Sequence, residues 1–262
     1  MEDRVRIEIQ GGVADVRLCR SDKMNALDVP MFEALISAGR RLADERGVRA
    51  VVLSGEGRGF CAGLDFASVM ADRSRNLFER KDGEAANFAQ AAAWVWRELP
   101  MPVVCAIHGV AYGGGIQIAL AADIRIVAPD AKLSVREVHW GLIPDMSGTQ
   151  TLRQLVREDV AKELVYTARI VSGEEAVAMG LATRTSDTPY EDAHALAREI
   201  AARSPDAVRA AKQLLERTRH LDEAAGLRLE EEIQRSVMGK KNQLEAVRAN
   251  MEKREPVFED PE

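Results

Sequence analysis

With 262 residues, 46% of them hydrophobic and 30% charged, the chain is long enough to bury a substantial core and is neither disordered nor fibrous in composition. Its formal net charge of −6 argues against a large nucleic-acid footprint, since phosphate contacts need a surplus of Lys and Arg, although a local basic patch can still hold a phosphorylated small molecule. The longest apolar stretch, residues 101–122, is broken by His108, four glycines and Gln117, so no membrane span is expected.

The first ten residues, MEDRVRIEIQ, are charged and alternating, which fits neither a secretory signal nor a transit peptide. Residues 4–9 and 13–18 alternate on either side of Gly11-Gly12 and predict a β-hairpin. Residues 28–43 carry apolar side chains at helical spacing (Met31, Leu35, Ala38, Leu42), with Asp28 as the N-cap and Pro30 in the first turn. The short apolar run at 50–54 predicts a buried strand leading into a Gly-rich segment, 55–63. A second pass has the same character: a helix over 84–99, a buried strand over 102–107, a Gly-rich turn over 109–115, a short helix over 116–122 and a strand over 124–127. Such loose repetition is what stacked ββα units produce. From 190 to 254 nearly everything predicts helix, with a cap at Ser204-Pro205 and a break near Gly239. Amphipathic helices carried beyond a core often pack on a neighbouring subunit, although they can also fold back on their own. The three cysteines, Cys19, Cys61 and Cys105, have no paired spacing, and reduced thiols in a cytoplasmic protein are the expectation.

Two Gly-rich turns carry the chemistry. Gly59-Phe60-Cys61-Ala62-Gly63-Leu64-Asp65 follows one buried strand, and His108-Gly109-Val110-Ala111-Tyr112-Gly113-Gly114-Gly115 joins another to a helix. A glycine triplet opening a helix exposes unpaired N–H groups at the positive end of the helix dipole, suited to an anion or a developing oxyanion. The same glycines can instead serve only tight packing or positive φ. A dinucleotide site is excluded by the absence of G-x-G-x-x-G spacing, and a P-loop by the lack of a following Lys-Ser/Thr. No H-E-x-x-H, C-x-x-C or Asp-rich loop suggests a metal, and no G-x-S-x-G or Ser-His-Asp arrangement recruits His108 or His139.

Together with Lys23-Met24-Asn25-Ala26-Leu27, Ala122-Asp123-Ile124-Arg125, Gly141-Leu142-Ile143-Pro144, Gly148-Thr149-Gln150 and Glu252-Lys253-Arg254-Glu255-Pro256-Val257-Phe258, the two turns resemble the crotonase (enoyl-CoA hydratase/isomerase) family in order and spacing over essentially the whole chain. The resemblance implies an α/β fold: a spiral of ββα units over residues 1–200, then a C-terminal α-helical oligomerisation region over 201–262. It implies a coenzyme A thioester as substrate, no separate cofactor, and a homotrimer or dimer of trimers. Carried over residue by residue, the oxyanion-hole donors are the backbone N–H groups of Leu64 and Gly114. The coenzyme A segment corresponds to Ala26, Ala62, Gly63 and Asp65, with Lys23 near the phosphates.

In a hydratase of that family two glutamates activate water and protonate the α-carbon. One of those positions holds Gln117 here, and an amide cannot cycle a proton. The other holds Glu137, whose place in the pattern favours catalysis over a surface pair with Arg136. Asp145 either joins Glu137, as in dienoyl-CoA isomerases, or caps the helix near Gly148 in competition with Ser147. One carboxylate suffices to move a proton between the α- and γ-carbons of an enoyl thioester, so isomerisation is the leading expectation. A slow 2-enoyl-CoA hydratase and a non-catalytic acyl-CoA-binding protein are the alternatives. Gln117 and Glu137 are both expected to face the cavity. Cys61 is expected to pack rather than attack, and Trp94, Trp96 and Phe88 to be core rather than acyl-pocket wall.

Overall fold

The computed structural model describes residues 4–72 and 74–261. The hairpin forms as expected: β1 (Val5–Gln10) pairs antiparallel with β2 (Val13–Leu18), and Gly11 and Gly12 take φ of +58° and +79°, the left-handed values a two-residue turn demands. In α1 (Val29–Ala43) the Asp28 carboxylate accepts from the Met31 N–H at 2.9 Å, satisfying a donor that the helix itself cannot.

There follow β3 (Ala50–Gly55), α2 (Phe66–Ala71) and α3 (Phe88–Glu98). The last of these starts four residues later than its apolar pattern suggests, because Asn87 and Gln90 close a reciprocal capping box. After β4 (Val103–Ile107) the Gly-rich segment is not all turn: Val110–Tyr112 forms β5, and α4 is Gly114–Leu120. Next come β6 (Ile124–Val127), β7 (Lys132–Ser134), a 3-10 turn at Glu137–Trp140, α5 (Gly148–Leu155), α6 (Glu158–Thr167), β8 (Val171–Ser172), α7 (Gly173–Ala178) and β9 (Arg184–Thr185). The chain closes with α8 (Pro189–Ala201), α9 (Pro205–Thr218), α10 (Glu223–Val237) and α11 (Lys241–Glu252).

Among the described residues the main sheet runs β1-β2-β3-β4-β6-β9, parallel from β2 onward, and a smaller sheet runs β5-β7-β8. Both faces of the main sheet are covered. Val51, Leu53, Val103 and Cys105 point toward α1, α3 and α4, while Val52, Val104, Ala106 and Ile126 pack on Ala193 and Ala197 of α8. Strands buried on both sides read as unbroken apolar runs, which is why β3 and β4 were legible. The helix α8 therefore belongs to the sheet. Beyond it α9, α10 and α11 leave Leu215, Leu227, Leu244, Val247 and Met251 exposed. Gly239, at φ +76°, makes the expected break, and a further one before Asp222, the N-cap of α10, had no Gly or Pro to announce it.

Candidate active site

The two Gly-rich turns meet because their backbones pair. Phe60 donates to the His108 carbonyl and Cys61 to that of Val110, both at 3.0 Å, and Tyr112 donates back to Cys61 at 3.0 Å. No side chain fits between them: a Cβ on Gly63 (φ +88°) would stand 2.6 Å from the Tyr112 carbonyl oxygen, and one on Gly115 would stand 2.5 Å from that of Cys61. Asn25 fixes the approach to the first turn. Its buried Nδ2 donates to the carbonyls of Glu56, Gly59 and Phe60 at 2.9, 2.9 and 3.1 Å. That scaffolding role, and the αL backbone it requires (φ +56°), was not foreseen, although Asn tolerates αL better than most residues.

Two amides are left over at this junction. The bridge between Leu27 and Leu64 uses the N–H groups of Leu27 and Asp65, so the Leu64 N–H stays outside the ladder. Gly114 is the first residue of α4, whose opening N–H groups have no intrahelical acceptor. Both residues line one cavity of about 750 Å³, together with Ala62, Gly63, Gly113, Glu137 and Asp145. Its wider walls are apolar: Phe32 and Leu77 lie inward, and Phe66, Phe78, Trp140 and Ile143 form the rim.

Glu137 is only 8% exposed. Its Oε1 accepts from the Gln117 amide at 2.5 Å, while its Oε2 is buried and has no hydrogen-bond partner. Burial pushes this carboxyl up from the ordinary carboxylate range, and the nearby Asp145 charge adds to that. The Gln117 hydrogen bond works the other way. Asp145 is also pushed up by burial. It caps nothing, and neither does Ser147, whose φ of +70° precedes α5 without a side-chain cap.

Gln117 is a correction. It does not line the cavity but lies behind Glu137, 1% exposed. Its Oε1 accepts from the N–H groups of Met146 and Gly148 at 2.9 and 2.8 Å, which commits its Nε2 to Glu137. Both ends of the amide are spent on holding the glutamate and the start of α5.

Of the coenzyme A candidates, Ala62 and Gly63 line the cavity, Ala26 is half-buried beside the first turn, and Lys23 is exposed at the end of the 3-10 turn Ser21–Lys23. The Asp65 carboxylate is occupied as the N-cap of α2, accepting from the Ser68 N–H and hydroxyl and from Arg20. Those bonds to Ser68, with the Arg20 charge, hold it down to about 2. Cys61 is fully buried, donates to the Asn25 carbonyl at 3.0 Å, and is pushed up to about 12 by burial, so it is a thiol and not a nucleophile. Trp96 is core, with its indole N–H on the Ala92 carbonyl, and Phe88 packs on Phe32. Neither lines the cavity, nor does Trp94. His108 bonds the Gly57 carbonyl and His139 meets Trp140 edge-on, both outside the cavity. Among the described residues no cluster of His, Cys, Asp or Glu is placed to hold a metal, and no helix is long and apolar enough to cross a membrane. Within the rim, Trp140 and Ile143 come from a segment separate from that of Phe66 and Phe78 and share no sequence pattern with it.

Residues 8–261 match the family model described as enoyl-CoA hydratase/isomerase. The chain belongs to the enoyl-CoA hydratase/isomerase family. It is 32% identical over 268 residues to the mitochondrial methylglutaconyl-CoA hydratase of Mus musculus, covering 98% of this chain and 84% of that one. The crystal structure of enoyl-CoA hydratase from Bacillus anthracis superposes with a TM-score of 0.87 at 30% identity, covering 97% of this chain and 98% of that one. That of enoyl-CoA hydratase from Mycobacterium tuberculosis H37Rv gives a TM-score of 0.89 at 26% identity, covering 98% and 99%. The fold is thus the crotonase fold, with a helical C-terminal region, and the chain is an acyl-CoA enzyme of this family.

Proposed function

We propose that this family member shifts the double bond of an enoyl-CoA thioester, with Glu137 as the proton shuttle. One observation carries the reading: Glu137 presents an unpartnered buried oxygen beside the cavity, while the position behind it is an amide with both ends committed. In the proposed reaction the thioester carbonyl lies against the N–H groups of Leu64 and Gly114. Glu137 Oε2 removes an α- or γ-proton, the negative charge moves onto the carbonyl oxygen, and the two amides stabilise it there. The same carboxyl returns the proton at the other end of the allylic system, so nothing is gained or lost overall. The Gln117 amide holds Glu137 in place and cannot activate a water. Coenzyme A is part of the substrate, with its nucleotide end toward Lys23, Ala26 and Ala62–Asp65. The exposed apolar positions on α9–α11 support a homotrimer or a dimer of trimers.

A second reading, hydration, is favoured by the names of the relatives and by Asp145, a second carboxylate on the same cavity. Incubating the protein with 3-enoyl- and 2-enoyl-CoA separates the two. Isomerisation gives conjugation absorbance from the 3-enoyl substrate and α-deuterium from heavy water, without water addition. Water addition as the faster process would replace the isomerase reading with hydration. Binding with neither exchange nor addition would leave a non-catalytic acyl-CoA binder.

A further inference from the structure

The cavity contains three charged side chains: Glu137, Asp145 and Arg136. Burial pushes both carboxyls up from the ordinary carboxylate range. Arg136 is different. It adjoins Glu137 in sequence, but among the described residues no carboxylate, carbonyl or hydroxyl accepts from it. Its one partner is the face of the Tyr112 ring, 5.4 Å from the guanidinium carbon, and Tyr112 is itself a cavity wall. Stacking on an aromatic ring holds the guanidinium plane and leaves its N–H groups free, the arrangement in which arginine reads a carboxylate with two parallel bonds. A half-buried cation beside apolar walls is costly unless its counter-ion arrives with the ligand. An acidic acyl group entering a cavity that already holds two carboxylates needs a cation in turn.

We propose that Arg136 determines specificity, and that the preferred substrate is an acyl-CoA whose acyl group carries a second, free carboxylate paired with the Arg136 guanidinium. This rests on the acyl-CoA reading of the cavity but not on the choice between isomerase and hydratase. Arg136 and Glu137 line the same cavity, so the free carboxylate and the reacting carbons are held within it together.

Binding of saturated thioesters, freshly prepared and with no double bond to shift or hydrate, tests this without any turnover. Calorimetric titration of the full-length protein compares the monothioesters succinyl-, glutaryl- and adipyl-CoA with butyryl-, pentanoyl- and hexanoyl-CoA of matching length. At least one acidic partner should bind roughly ten- to a hundredfold more tightly, the worth of a charge-assisted bidentate pair. Arg136→Gln should bring that ratio close to one, and Arg136→Lys should keep part of it. The same pairs as pantetheine thioesters, which lack the nucleotide phosphates, should show the same preference and the same loss. No preference in the wild type, or a preference that survives Arg136→Gln, overturns the assignment. So does an Arg136 effect confined to the coenzyme A forms, because the partner would then be a phosphate. Failure of the isomerase reading would show separately, as no α-proton exchange with hex-3-enoyl-CoA while the binding ratios stand.

Discussion

The floor and the rim of the cavity are built in opposite ways. At the floor, a Cβ added to Gly63 would meet the Tyr112 carbonyl oxygen at 2.6 Å, and one on Gly114 the Met146 and Leu27 side chains at 2.7 and 2.8 Å. Glu137 is held by the Gln117 amide behind it, itself fixed by the N–H groups of Met146 and Gly148. At the rim, Met70, Phe78, Trp140 and Ile143 are 75%, 70%, 58% and 71% exposed, and their placement rests on a few contacts such as the Phe66–Trp140 ring pair at 4.9 Å. A floor held by main-chain geometry can position a proton acceptor to a fraction of an ångström. A rim of loosely held side chains can only sort what enters. Chemistry is fixed where the backbone is crowded, and selectivity where it is not.

The largest expected effect lies at the floor. Glu137→Gln should lower turnover by about 10²–10⁴-fold, the usual worth of a positioned proton acceptor, as read in a conjugation assay. An unchanged rate would pass the role to Asp145. The same change should raise the melting temperature at neutral pH. The folded carboxyl titrates above its ordinary 4.5, so the native state binds the proton more tightly than the unfolded chain. Its contribution to stability is complete below about 4.5 and falls as pH rises through the raised value. The gain from Gln should therefore disappear in acid.

Next comes Gly63→Ala, which sets a methyl group 2.6 Å from the Tyr112 carbonyl at a positive φ. It should cost about 1–3 kcal/mol in denaturant unfolding and, if Leu64 is an oxyanion donor, about 10²–10³-fold in kcat. Normal activity in this variant would break the claim that the two turns must touch.

Gln117→Glu is the sharper test of how the floor works. It replaces the donor 2.5 Å from Glu137 Oε1 with a second acceptor, so the two carboxyls must share one proton. The acid limb of the pH–rate profile should move upward and stability at pH 7–8 should fall. A gain in hydratase activity would show that water reaches the pair. The smallest effect belongs to the rim: Phe78→Ala should shift stability by less than about 0.5 kcal/mol, yet raise KM for an apolar acyl group several-fold.

The same division explains what could be read from sequence. The hairpin, α1, β3, β4 and the contributions of both turns to the cavity follow from local patterns of alternation, capping and glycine. The strand β5 did not, because Val110–Tyr112 becomes a strand only by pairing with Lys132–Ser134 across the chain. Nor did the orientation of Gln117, which is set by the N–H groups of Met146 and Gly148, some thirty positions away. A surface pair between Arg136 and Glu137 was the less favoured reading, and the stacking of Arg136 on Tyr112 that replaces it is likewise non-local.

The cysteines give the floor and the sheet their own reporters. Cys61 lies under the second Gly turn and Cys105 within β4, both with no exposed surface, whereas Cys19 is partly exposed. An alkylating reagent can reach the buried pair only through an opening fluctuation, so the rate at which each is modified in the native protein measures how often its surroundings come apart. Equal rates would mean that the catalytic floor opens only with the sheet, as one cooperative unit. Faster capture of Cys61 would mean that the two turns part on their own while the strands beneath them stay closed.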